Sequence, residues 1–134
     1  MLMQVANAAG GRFDPPHYPI KTLPYIMGKK MQVPNNIVLE LEESFVLPFD
    51  AELVSVAVSC SEYHDDDNWE VYVDDIAIAE TIFTKGLPEG IYLMAMVPVP
   101  TGTEIRIVFK NDSGGGPKHI WWDLQFLRSE PSVV

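Results

Sequence analysis

The sequence predicts an all-β fold, an antiparallel β-sandwich of jelly-roll type with an extended proline-rich N-terminal arm, on three observations. Pro and Gly, 11 and 9 of the 134 residues, fall between short apolar runs instead of inside long ones, which denies any helix its length. The runs alternate apolar and polar residues with period two, as strands with one buried face do. Turn residues recur about every eight to twelve positions, the spacing of a sandwich of about seven short strands. No helix and no internal repeat is expected.

Residues 1–34 read as the arm. Gly10-Gly11, Pro15-Pro16, Pro19, Pro24 and Pro34 interrupt every helix and remove ladder donors from any strand. The segment still carries Phe13, His17, Tyr18, Ile20, Leu23, Tyr25, Ile26 and Met27, more apolar material than a disordered tail holds, so something must cover it. The sandwich domain is expected over 35–130, with a short tail at 131–134.

Within the domain, 37–41 alternates weakly and 52–61 clearly, with Val54, Val56, Val58 and Cys60 opposite Ser55, Ala57, Ser59 and Ser61. Segment 68–74 sets Trp69, Val71 and Val73 against Glu70, Tyr72 and Asp74, and 76–84 is a weaker run. The turn Pro88-Glu89-Gly90 precedes 91–97, and Pro100-Thr101-Gly102 precedes 104–110, where Ile105, Ile107 and Phe109 face inward. After the loop Asn111 to Pro117, 119–127 places Ile120, Trp122, Leu124 and Phe126 on one face and Trp121, Asp123, Gln125 and Leu127 on the other.

A formal charge of −10 repels a phosphate backbone, so nucleic acid and anionic membrane are not expected as partners. No apolar run reaches the roughly 20 residues of a membrane helix. The first ten residues have neither a basic start nor a continuous apolar stretch, so no secretory signal is read. The lone Cys60 excludes an internal disulfide and a multi-cysteine zinc cluster.

The richest polar cluster is His64-Asp65-Asp66-Asp67, with Asp74-Asp75 beyond the next strand. Hard carboxylate oxygens at a loop tip suit calcium, which makes Asp65, Asp66 and Asp67 its candidates. The spacing matches no EF-hand, and the preferred reading is a solvated acidic turn. His17, His64 and His119 lack a recognisable nucleophile partner, the run Gly114 to Gly116 lacks the Lys and Ser/Thr of a phosphate loop, and no catalytic motif is present. Neither enzymatic activity nor a cofactor is expected.

Trp121 shares a strand face with Asp123 and Gln125, so it reads as an outward indole, either a subunit contact, the preferred reading, or, with Tyr72, a sugar-stacking platform. Tyr92, Met94 and Met96 alternate with Ile91, Leu93, Ala95 and Val97. A strand with two apolar faces needs a second cover, and another subunit supplies it. A homo-oligomer follows, with Phe13, Tyr18, Tyr25, Met94, Met96 and Trp121 as contact residues.

Five stretches carry a resemblance: the lead-in Glu43 to Asp50, the strand Trp69 to Asp75, Leu87 to Tyr92, Pro100 to Ile107, and Trp121 to Leu124. Over residues 44–127 they resemble the small jelly-roll modules that phage virions use as accessory capsid, tail or baseplate parts. That resemblance implies a non-enzymatic virion structural protein, trimeric by analogy, attached to other virion proteins and present in the host cytoplasm during assembly. Carbohydrate-binding modules share the later part of the pattern and imply an alternative, a glycan-binding domain. In such modules a late aspartate can hold a structural calcium, which would here be Asp123.

Overall fold

The structure, a computed structural model, describes residues 20–86 and 89–129, the side chains of Glu89 and Met94 excepted. Eight strands account for most of it: β1 (Leu23–Val33), β2 (Leu39–Val46), β3 (Ala51–Cys60), β4 (Asn68–Val73), β5 (Ile76–Phe83), β6 (Glu89–Val99), β7 (Glu104–Asn111) and β8 (Lys118–Arg128). They form two four-stranded antiparallel sheets, ordered β1-β8-β3-β6 and β2-β7-β4-β5. There is no helix among the described residues, hence none long and apolar enough to cross a membrane.

The inner faces share one core. Val33, Leu53, Val56, Val58, Ile120, Trp122, Leu124 and Phe126 from the first sheet meet Trp69, Val71, Ile105, Ile107 and Phe109 from the second. Trp69 and Trp122 cross edge to face with ring centres 5.6 Å apart, the arrangement the ring quadrupoles favour. The period-two pattern therefore predicts the buried face in β4, β7 and β8. In β3 it predicts one residue wrongly. A bulge lies between Leu53 and Ser55, across both neighbouring strands, and the extra residue shifts the phase. Leu53 and Val56 are both buried, while Val54 is only half-buried.

The segment expected as an arm is corrected from Leu23 onward. Residues 23–33 form β1, paired along its whole length with β8, from Leu23 opposite Arg128 to Val33 opposite Lys118. Pro24 is tolerated because β1 is an edge strand, where a missing N–H can face away from the ladder. Residues 1–19, with Phe13, His17 and Tyr18, lie outside the described residues, as do 130–134. Lys29 reaches across from β1 to Glu43 of β2 at 2.9 Å and lies 4.8 Å over the Phe45 ring, closing one side of the two layers. The opposite side, between β5 and β6, holds an apolar cleft of about 340 Å³ lined by Val73, Ile76, Ile78, Val97, Pro98 and Pro100 among others.

Asp74 and Asp75 have φ of 48° and 63° and form the two-residue turn between β4 and β5, with Val73 paired to Ile76. Positive φ at both central positions suits the twist of a hairpin, and Asp tolerates it better than bulkier residues. Asp74 Oδ1 accepts the Glu104 N–H at 2.9 Å, so this acidic pair serves the turn.

Candidate functional site

The strand ends bring four segments to one end of the molecule: 34–38, 61–67, 84–86 and 112–117. The acidic run lies there and divides in two. Asp65 and Asp66 are exposed, as a solvated turn requires. Asp67 is 1% exposed, which corrects its reading as a solvated residue. Its Oδ2 pairs with Lys118 Nζ, and its Oδ1 accepts the Ser113 N–H at 3.0 Å. Both oxygens are committed within the protein. Among the described residues no group of three or more His, Cys, Asp or Glu is placed to hold a metal. His64 Nε2 lies 2.7 Å from Glu62 Oε1 at the surface. The sequence reading missed Lys118, whose signal is its phase: it falls in register with the inward residues Ile120 and Trp122.

Tyr72 belongs to a second network, on the outer face of the β2-β7-β4-β5 sheet. Its hydroxyl donates to Glu70 Oε1 at 2.6 Å, and the Arg106 guanidinium covers its ring at 4.1 Å. The hydrogen bond to the Glu70 carboxylate, aided by burial, pushes the phenol up to about 12. Glu70, 4% exposed, also accepts the Thr81 N–H at 3.1 Å and lies 3.3 Å from Lys110 Nζ. Burial pushes its carboxyl up, but the bonds from Tyr72 and Lys110, the Lys110 charge and the Thr81 N–H outweigh it and hold the carboxyl below its ordinary value. With its ring face and hydroxyl both occupied, Tyr72 offers no open stacking surface.

Trp121 lies on the other side of the molecule. It is 40% exposed and out of phase with the buried Ile120 and Trp122, so it projects from the outer face of β1-β8-β3-β6. Tyr72 and Trp121 therefore face opposite directions, which corrects their pairing in one sugar site. Ile26 and Tyr92, 61% and 43% exposed, share the Trp121 face. Between them runs a row of small residues, Gly28, Ala57 and Gly90, interrupted by Asp123 alone. Asp123 and Lys30, which stands opposite Trp121, make no hydrogen bond or ion pair among the described residues. The result is a broad face of low relief with three large apolar side chains standing on it.

The other expected contact residues divide. Tyr25 packs edge-on against Phe49 at 5.0 Å and lies 6.3 Å from Phe126, so it belongs to the margin of the core. Met96 is buried within the chain at 7% exposure, and the Met94 side chain is outside the described residues. Ile26, which the sequence pattern places in the arm, is the exposed apolar residue that pattern misses on the Trp121 face. It becomes visible only once β1 is known to be a strand, whose even positions point outward. Cys60 is buried, and burial pushes its thiol up to about 11, which leaves it unreactive.

Comparison with known proteins returned one family model, described as "Domain of unknown function (DUF8551)", which matches residues 21–131. No curated protein and no solved structure matches the chain.

Proposed function

The chain belongs to the DUF8551 family, and we propose that it is a non-enzymatic structural protein of a phage virion, self-assembling and attaching to a larger particle. The observation that carries the proposal is the outer face of β1-β8-β3-β6, where Ile26, Tyr92 and Trp121 stand exposed around small residues. Flat surfaces with aromatic anchors and few charges suit burial against another subunit. The strand order supports a jelly roll, since every consecutive pair of strands except β4 and β5 crosses between sheets. A trimer is the proposed state, by analogy with such modules. The test is the solution mass of the full chain beside the double variant Ile26→Asp, Trp121→Asp. An oligomer that the double variant reduces to monomer supports the reading.

One observation favours a second reading, glycan binding on the same face. Asp123 and Lys30 flank the Trp121 indole without partners among the described residues, and a sugar ring offers an apolar face for the indole and hydroxyls for both charges. A glycan array should then show binding that Trp121→Ala reduces at least tenfold. An array without a binder rules this reading out.

A further inference from the structure

We propose that Asp67 and Lys118 are a site of covalent modification, an intramolecular amide bond between Asp67 Cγ and Lys118 Nζ that forms after folding. The inference is independent of how the protein assembles. Asp67 stands immediately before β4 in one sheet and Lys118 opens β8 in the other, so the bond would join the two layers across 51 residues of chain.

Four features of the site argue for it. The side chains are 1% and 0% exposed, so two full charges sit where water does not compensate them, an arrangement that burial penalises heavily. Converting the pair to a neutral amide removes both charges. Lys118 Nζ lies against Asp67 Oδ2, so the nucleophile is held beside the carboxyl group and needs no diffusive encounter to reach it. Asp67 Oδ1 already accepts the Ser113 N–H at 3.0 Å, a donor aimed at the oxygen that gains charge when the carboxyl carbon is attacked. The Phe109 ring, 5.8 Å from Nζ, adds apolar cover that keeps out the water needed to reverse the step.

The step balances without an oxidant or a co-reactant. One ammonium proton passes along the existing hydrogen bond to Asp67 Oδ2, leaving a neutral amine beside a carboxylic acid. The Nζ lone pair attacks Cγ, a C–N bond forms, and the charge that gathers on Oδ1 is held by the Ser113 N–H. A second proton moves from nitrogen to Oδ2, the C–Oδ2 bond breaks, and Oδ2 leaves as water. The third proton stays on the amide nitrogen.

Mass spectrometry of the purified full-length chain after denaturation tests this directly. The expected intact mass is lower than the sequence mass by about 18 Da, one water, with a branched peptide after proteolysis that joins Asp67 to Lys118. Asp67→Ala and Lys118→Met should each restore the full sequence mass, whether or not they fold well. A wild-type chain at full sequence mass overturns the proposal and leaves an ordinary buried ion pair only. A deficit that persists in both variants, or that fragmentation locates elsewhere, overturns it equally.

Discussion

At the scale of single residues, charge placement decides what the surface can do. Glu70 is a carboxylate nearly removed from solvent, yet it is held ionised by Tyr72, Thr81 and Lys110. Its folded-state pKa is depressed, so its contribution to stability is fully present above the ordinary glutamate range and is lost as pH falls through the folded value. Glu70→Gln should cost about 2 kcal/mol near neutral pH, the scale of hydrogen bonds to a charged group. The deficit should shrink as pH falls below the ordinary glutamate range and through the depressed folded-state value, and thermal melts of both proteins at successively lower pH would show it. A deficit independent of pH would mean that Glu70 acts by packing alone. Trp121 was legible as an outward residue because its neighbours Ile120 and Trp122 fix the phase of β8. The partnership of Asp67 and Lys118 was not. Single-strand periodicity reports which face a residue occupies, while a pairing 51 positions apart depends on how two sheets face each other.

At the scale of elements, β1 shows where sequence rules competed. Five prolines within residues 15–34 argue against regular structure, but 25–33 contains none, and alternation there runs Tyr25, Met27, Lys29, Met31, Val33. The lysine and the glycine at 28 obscure that pattern. Lys29 can occupy an inward phase because Glu43 and the Phe45 ring receive it at the open side of the layers, a compensation supplied by another strand. Removing residues 1–19 should therefore leave the melting temperature within a few degrees of the full chain. Removing 1–33 takes away every pairing partner of β8 on one side and should abolish cooperative unfolding. Loss of cooperativity in the shorter deletion would show that the fold depends on the first 19 residues. The bulge at Val54 escaped the sequence for a related reason. An extra residue leaves an uninterrupted run of β-formers, and the shift is visible only against the registers of β6 and β8.

At the scale of the whole molecule, the two sheets differ in how they meet their surroundings. The outer face of β2-β7-β4-β5 is knitted by Glu42, Glu70, Tyr72, Arg106 and Lys110, and such a mixed charged surface keeps company with water. The outer face of β1-β8-β3-β6 leaves Ile26, Tyr92 and Trp121 exposed and lacks a comparable network among the described residues. Strands of β2-β7-β4-β5 also expose Val46, Ile76 and Phe83. The sheets thus differ in the charged network laid over the outer face and not in the number of exposed apolar residues, and that difference is the basis for the structural role proposed. A net charge of −10 opposes association of like subunits, but at physiological salt it is screened beyond about 8 Å. Apolar burial can then prevail, and lowering the salt should loosen the assembly instead of tightening it.

The measurement that tests this most directly is light scattering on the full chain after size exclusion, at physiological and at low salt, beside the Ile26→Asp, Trp121→Asp double variant. The account predicts one discrete multiple of the monomer mass at physiological salt, partial dissociation at low salt, and a folded monomer for the variant in both. A wild-type chain that stays monomeric at concentrations of about 100 μM, or a variant that keeps the wild-type assembly mass, would contradict it.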